Sequence, residues 1–412
     1  MATEGLGFTA ALYAGFIGRY RIGLRTWRRA LVAAGAEPAG VGRRPDRGRP
    51  MTVRFAHGLV VGTFYPPHVG HLALVRAALS ACDRVTVEVL GGSTESISVA
   101  LRVEWLREEV PTVRLTSIVD DAEIDFESAS AWDHHTAVIR SLLDPSDGPV
   151  SALFTSDAYG EELAARLGST WVRVDPGRSA LTVSSTAVRA DVPAQWWALP
   201  APVRQHLAKR VVVLGAESTG TTTLAEELAA HFGVPCVPED GRDWTEARPG
   251  GIESACQSIE FELVSAQQAR LEDDAARRSP RPLLLCDTDV LATAVWHERH
   301  VGSPSPTVEA LARTRVPALY LLTSPDIPFV QDGMRDGKHL RSWMTDRFRE
   351  VLGKQPAPWV EVSGSREARL AAGIRAVEEV LAAGWGLVPS LEQQQQATRV
   401  GSTKESVEDA DQ

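Results

Sequence analysis

"GTFYPPHVGHLALV", Gly62 to Val75, runs from the end of an apolar strand into an amphipathic helix. Two histidines, His68 and His71, stand three apart where the strand turns into the helix. Gly70 between them permits close backbone approach to a ligand. The helix N-terminus adds backbone donors and a dipole that favours anions. Two imidazoles on such a rim suit a polyphosphate and the charge that builds up on it. Alone, H-x-G-H is also compatible with a histidine loop that has no chemistry.

Short apolar segments continue outward from this stretch. "HGLVVGTF", "RVTVEVLGG", "TVRLTSIVD" and "VSALFTSD" read as strands, alternating with helices such as "HLALVRAALSA" and "EELAARL". This alternation predicts a parallel, doubly wound sheet whose ligands sit at the carboxyl ends of its strands. A second block repeats the architecture without repeating the sequence: "RVVVLG", "PLLLCD", "ALYLLTS" and "WVEVSG" are its strands, and "REARLAAGIRAVEEVLAAG" closes it as a helix stopped by Gly384. The expected fold class is α/β, with two doubly wound parallel-sheet domains. The expected boundaries are a basic N-terminal arm at 1–50, a first domain at 51–192, a connector at 193–209, a second domain at 210–388 and a disordered tail at 389–412. Three prolines and two tryptophans make the connector "VPAQWWALPAPVRQHLAKR" a packed one. The tail, "LEQQQQATRVGSTKESVEDADQ", is polar and low in complexity, which predicts disorder.

The second domain opens on "VVVLGAESTGTTTL", Val211 to Leu224. Gly215 and Gly220 fit G-x-x-x-x-G-K-[ST], but the lysine position holds Thr221. The loop follows a strand and opens a helix, as a phosphate cradle requires. Gly215 and the residues Glu217, Ser218, Thr219, Gly220, Thr221, Thr222 and Thr223 form the expected ATP-binding stretch, with Thr222 at the magnesium-ligating hydroxyl. "LLLCDTDV" ends a strand with Asp287 and Asp289, the place for a magnesium-holding acid. "VPEDGRDW" supplies Glu239, Asp240 and Arg242, whose acids are placed to take a proton from a sugar hydroxyl. "SPDIPFVQDGMRDGKHLR" supplies Arg335, Lys338 and Arg341 and reads as a mobile basic lid. Each of these loops alone is also compatible with a solvated loop.

"G-x-F-x-P-x-H-x-G-H" resembles the signature of the nucleotidyltransferase superfamily at Gly62, Phe64, Pro66, His68, Gly70 and His71. A later superfamily motif, I-S-S-T-x-I-R, is similar to "VSSTAVR", Val183 to Arg189. The resemblance implies adenylyl transfer, with pyrophosphate leaving as a phosphate nucleophile attacks the α-phosphorus of ATP. Ser184, Ser185 and Thr186 would bind phosphate through hydroxyls and backbone N–H groups, and Arg189 would add a charge-assisted fork. The second domain, through "GAESTGTTTL", "PED-R", "CDTDVLAT" and "PDIPFVQDGMR", resembles the kinase half of bifunctional nicotinamide-nucleotide adenylyltransferase/ribosylnicotinamide kinases, the NadR family. "TSDAYGEELA" and "SAWDHHTAV" extend that resemblance to the first domain.

The resemblance covers roughly Phe55 to Gly384 and implies ATP, nicotinamide mononucleotide and nicotinamide riboside as substrates, with Mg²⁺ as cofactor. Under it, Glu239 is the expected general base and Asp240 the second choice. Thr222 and Asp287 hold magnesium, and Arg335 and Arg341 neutralise the transferred phosphoryl. Trp132, which would stack on a nicotinamide ring, Arg242 and Asp289 form the substrate-binding set. Two departures stand out: the arm shows no clear helix-turn-helix, and the loop lysine is absent.

Composition narrows the remaining classes. The chain has 412 residues and a formal net charge of -10, which argues against nonspecific nucleic-acid binding. Cys82, Cys236, Cys256 and Cys286 are scattered without C-x-x-C, which argues against a disulfide framework and a zinc site and makes a reducing cytoplasm the expected setting. No apolar run approaches the roughly 20 residues of a membrane span. In the arm the arginines follow the apolar stretch, the reverse of a signal peptide. A rival reading keeps only the adenylyltransferase and makes the lysine-less domain a nucleotide sensor. Another makes the second domain a reader of ATP or NAD that regulates a partner. H-x-G-H alone also admits other phosphorylated acceptors, such as phosphopantetheine or glycerol phosphate. Oligomeric state, a homo-oligomer included, stays open.

Overall fold

The computed structural model describes residues 54–247, 256–330 and 337–408. The basic arm lies outside them. The first sheet contains β1 (Phe55–Gly62), β2 (Cys82–Gly91), β3 (Arg114–Val119), β4 (Ala152–Thr155) and β5 (Thr170–Arg173), in the order β3-β2-β1-β4-β5. All of its pairings are parallel. The helices that flank it include α1 (Val69–Ala81), α2 (Val99–Glu109), α3 (Ala129–Leu142), α4 (Gly160–Leu167) and α5 (Ser185–Ala190). β1 is the central strand because both of its faces are apolar: Leu59 and Val61 pack under α3 and α4, and Val60 packs under α1 and α2. The strand order reverses beside β1, so the loop after it opens at a topological switch point. β5 carries "TWVR", an edge strand too short and too polar for the alternation pattern to reveal.

The connector is packed. Trp196 is buried and its indole N–H donates to the carbonyl of Ser279 at 2.8 Å. It leads through α6 (Ala201–Leu207) into the second sheet. That sheet contains β6 (Lys209–Gly215), β7 (Cys236–Val237), β8 (Leu283–Asp287), β9 (Leu319–Thr323) and β10 (Trp359–Val362), ordered β10-β9-β6-β8-β7, again parallel throughout. Its principal helices are α7 (Thr221–Phe232), α8 (Asp240–Ala247), α9 (Ser258–Arg278), α10 (Val290–Val301), α11 (Pro306–Thr314), α12 (Arg341–Leu352) and α13 (Arg366–Ala382). Both sheets drain into one apolar cluster. It joins Tyr65, Ile97 and Trp105 of the first domain, Trp196, Leu199 and Val203 of the connector, and Val212, Leu284 and Tyr320 of the second domain.

The tail departs from expectation. Instead of disorder, residues Leu391–Glu408 form a helix, α14, which returns to the first domain. Low apolar content predicts disorder when only burial can hold a segment. Here glutamine amides do the holding. Gln395 accepts from the N–H of Ile124 at 2.8 Å and donates to the carbonyl of Ala122 at 3.1 Å. Gln394 accepts from the Thr94 hydroxyl at 3.0 Å. Glutamine is also a good intrinsic helix former. Among the described residues, no helix is long and apolar enough to cross a membrane.

Candidate functional site

The β1–α1 turn builds the first site. His68 caps α1, its Nδ1 accepting from the N–H of Gly70 at 3.2 Å. That bond assigns the proton of the neutral ring to Nε2. The His71 ring stacks on His68 with centroids 3.7 Å apart, and Phe64 packs beside it at 4.8 Å. Burial depresses both imidazoles: His68 falls to about 3 and His71 well below its ordinary value, each pushed further down by nearby Arg178. Both rings are therefore neutral N–H donors near pH 7 rather than cations. His71 Nδ1 is buried without a hydrogen-bond partner among the described residues.

Across the cavity, α5 carries the second motif. Ser184 caps the helix and accepts from the N–H of Ala187 at 3.1 Å. The Ser185 hydroxyl donates to the carbonyl of Pro66 at 3.1 Å, so the two motifs are hydrogen-bonded to each other. Arg189 donates to the carbonyl of Tyr65 at 2.5 Å and to Thr186 Oγ1 at 3.3 Å. Its remaining partner is Gln393 of α14, which accepts at 2.5 Å. Gly62, Phe64, His68, Gly70, His71, Ser184, Ser185, Thr186 and Arg189 all line one cavity of about 400 Å³, the scale of a small-molecule site. Trp132 lines it too, with its indole N–H on the carbonyl of Phe126 at 3.0 Å. Phe126 stacks on Tyr159 at 6.2 Å, which makes an aromatic wall for a planar ring. Sequence reading missed Arg178, which also lines the cavity and pairs with Asp157 at 3.2 Å. Its only sequence signal is an arginine beside Gly177 in a turn-rich stretch.

The second site lies at the carboxyl ends of β6 and β8. Gly220 precedes α7 with φ of +86°, a conformation that glycine adopts without strain. The Thr222 hydroxyl donates to Asp287 Oδ2 at 2.5 Å, which brings both expected metal-holding residues together. β7 neighbours β8, so Glu239 and Asp240 follow the strand next to Asp287. The Asp240 N–H donates to Gln268 at 3.1 Å. Thr221 is half-buried and Thr222 and Thr223 are exposed on the first turn of α7.

Several residues of the expected ATP- and substrate-binding set also have partners within the fold. The Thr219 hydroxyl points inward, donating to the carbonyl of Ala216 at 2.7 Å and meeting Thr323 Oγ1 at 2.6 Å; it shapes the loop. Glu217 pairs with the buried Arg299 at 2.5 Å. The Ser218 hydroxyl accepts from the N–H of Val330 at 2.8 Å. Asp289 is buried: one oxygen caps α10 at the N–H of Ala292 and the other accepts from the Tyr320 hydroxyl, at 2.9 and 2.8 Å. Burial raises its carboxyl to about 6. Each oxygen thus has a partner within the fold. Arg341 donates to the carbonyl of Ser218 at 3.1 Å and to that of Ile327 at 3.1 Å. Arg335 and the side chain of Arg242 lie outside the described residues. Arg369, which the sequence reading did not single out, is buried against the loop. It donates to the carbonyls of Thr219 at 2.6 Å and Ser324 at 3.0 Å and pairs with Asp326.

A family model described as an AAA domain matches residues 210–369. The chain is 26% identical over 316 residues to the trifunctional NAD biosynthesis/regulator protein NadR of Salmonella typhimurium LT2, covering 71% of this chain and 76% of that one. The NadR protein of Escherichia coli K12 matches to the same extent. The chain is thus similar to NadR proteins over most of its length. Solved NadR structures share the fold. One, in complex with NR, has a TM-score of 0.62 at 21% identity, spanning 79% of this chain and 95% of that one. Another, in complex with NAD and AMP-PNP, has a TM-score of 0.60 at 20% identity, with the same coverage. NadR likeness therefore extends over both sheets, and the paired α/β architecture expected from the sequence is the one observed.

Proposed function

We propose that this chain makes NAD from ATP and nicotinamide mononucleotide in its first domain, and phosphorylates the 5′-hydroxyl of nicotinamide riboside in its second. One observation carries the first half: both nucleotidyltransferase motifs meet on a single cavity that also has an aromatic wall at Trp132. The mononucleotide phosphate is already anionic, so no general base is required. His68 donates from Nε2 to an α- or β-phosphate oxygen, and Arg178 and Arg189 supply the cationic charge that the neutral imidazoles lack. As the phosphate attacks the α-phosphorus, the new P–O bond forms and pyrophosphate departs with the electron pair. Positioning and preorganised donors do the work, with no covalent intermediate.

In the second domain the loop N–H groups and the N-terminus of α7 cradle the ATP phosphates. The hydroxyl of Thr222 and the carboxylate of Asp287 are an all-oxygen donor pair, the kind that suits Mg²⁺. Magnesium held there would neutralise charge on the β- and γ-phosphates. Glu239, with Asp240 as the alternative, takes the proton of the riboside 5′-hydroxyl. The proposed setting is the cytoplasm, a reading supported by cysteines scattered along the chain without C-x-x-C.

Product analysis tests this reading. With ATP and Mg²⁺, the protein should form NAD and pyrophosphate from the mononucleotide, and the mononucleotide and ADP from the riboside. Formation of neither product would sink it. Thr221 at the lysine position favours a second reading, in which the second domain binds nucleotide without transferring phosphate. ADP release dependent on the riboside would remove that reading.

A further inference from the structure

Outside the two reacting centres, three metal-ligating side chains converge. Asp120 follows the carboxyl end of β3, fixed by its N–H on the carbonyl of Gly91 at 2.9 Å. His134 and His135 are consecutive residues on α3. Adjacent helical residues point about 100° apart, so both rings reach one carboxylate only by using different nitrogens. His134 presents Nε2 to Asp120 Oδ2 at 3.2 Å, and His135 presents Nδ1 to the same oxygen at 3.3 Å. The three ligand atoms lie within 4.8 Å of one another, and among the described residues this is the group of such side chains that meets that condition.

The arrangement contains an unresolved contact. His135 Nε2 lies 2.9 Å from the carbonyl of Glu123, which can only accept, so Nε2 carries the proton. In the neutral ring Nδ1 is then a lone pair facing a carboxylate oxygen. Two acceptors face each other unless a cation lies between them or the ring is doubly protonated. A histidine whose outer N–H is fixed on a backbone carbonyl while its inner nitrogen points at a carboxylate has the supporting geometry of a metal ligand. The distances agree: ligand atoms about 2.0–2.1 Å from a tetrahedral zinc ion stand about 3.3–3.4 Å apart.

We propose that Asp120, His134 and His135 bind a divalent transition-metal ion, zinc above all, at the rim of the first-domain cavity. Two imidazoles and one carboxylate suit zinc, cobalt or nickel, whereas magnesium selects oxygen donors. The site is therefore chemically separate from the magnesium proposed for phosphoryl transfer, and it stands whether or not the proposed reactions do. Cysteine spacing gave no hint of it because its ligands are histidines. Asp120 and His135 both line the cavity, as do Ile124, Asp125 and Phe126 between them. An ion held by residues on both sides of that loop fastens one wall of the cavity.

The test uses the full-length, tag-free protein, stripped with a chelator and titrated with zinc in excess magnesium, with bound metal read by mass spectrometry and by calorimetry. Wild type is expected to hold one zinc per chain. His135→Ala and Asp120→Asn should each weaken binding by well over roughly a hundredfold, beyond the tenfold to hundredfold typical of outer-shell changes. Cobalt in place of zinc should give visible d–d absorption that both variants abolish. Circular dichroism of both variants checks that loss of metal is not loss of fold. Absence of zinc uptake by wild type, or equal affinity in wild type and variants, overturns the proposal and leaves His135 as an imidazolium paired with Asp120.

Discussion

Glu88 lies wholly buried in the middle of β2, between Val61 of β1 and Thr116 of β3. Neither of its carboxyl oxygens has a hydrogen-bond partner among the described residues. Burial alone pushes its carboxyl up to about 8. The folded state therefore holds this proton more tightly than the unfolded chain does. The associated stability is fully present below pH 4.5 and is lost as pH rises toward 8. Glu88→Gln keeps the shape and removes the titration. It should be close to neutral at pH 4 and stabilise the protein by roughly 4 kcal/mol at pH 8, since the rise from 4.5 to about 8 spans more than three tenfold steps in proton affinity of about 1.4 kcal/mol each. Chemical denaturation of both proteins across that range measures the divergence. At this scale the sequence was least legible. Nothing in "RVTVEVLGG" separates a buried acid from a solvated one, because strand alternation permits either. The D-x-D after a strand places two acids at the same end of the sheet: Asp287 meets the loop threonine and Asp289 caps α10, a division that spacing does not reveal.

Elements were far more legible, because glycine loops between apolar strands and capped helices have few alternative foldings. The phosphate-type loop is the clearest case. Its strand, its left-handed Gly220 and the helix that follows were all readable; what braces it was not. Arg369 arrives from 150 residues along the chain, and Arg341 from 123, to hold the carbonyls of Thr219 and Ser218. Both guanidiniums hold the backbone of the loop, so they order the cradle. Thr221 sits half-buried on the first turn of α7, where a longer side chain meets no tight core. Thr221→Lys should therefore fold normally and leave ATP affinity little changed. One added charge-assisted hydrogen bond in the transition state is worth about 1.5–3 kcal/mol, so riboside kinase kcat should rise about tenfold or more. Steady-state ADP release reads the change, and an unaltered kcat would show that the γ-phosphate lies elsewhere.

At the scale of the whole molecule, the main surprise is the return of α14 to the first domain. Gln393 accepts from Arg189 at 2.5 Å and donates to Thr186 at 3.3 Å, the two side chains assigned to phosphate. Ser390, Leu391 and Glu392 line the same cavity. Under the proposed reaction, a glutamine amide would compete with the nucleotide for Arg189, as part of the same chain and at high effective concentration. Removing residues 389–412 should lower the KM for ATP in adenylyl transfer several-fold while kcat for the riboside kinase stays as it was. Initial rates of the two reactions, measured on the truncated and intact proteins, distinguish relief of this competition from general damage.

The shared apolar cluster and the returning helix also bear on how modular the chain is. Linear order suggests two cassettes separable at the proline-rich connector. The molecule is not divided there: Trp196, Leu199 and Val203 of that connector lie inside the core that both sheets use. The last helix of the second cassette furnishes a wall of the first one's cavity. A cut near residue 200 would yield a first half with an exposed apolar face and a binding site missing one side, and a second half with an orphaned arm. Gene fission at the obvious seam would therefore destroy a site that lies nowhere near it, and any exchange of one half between relatives would have to carry the tail's docking surface along with it.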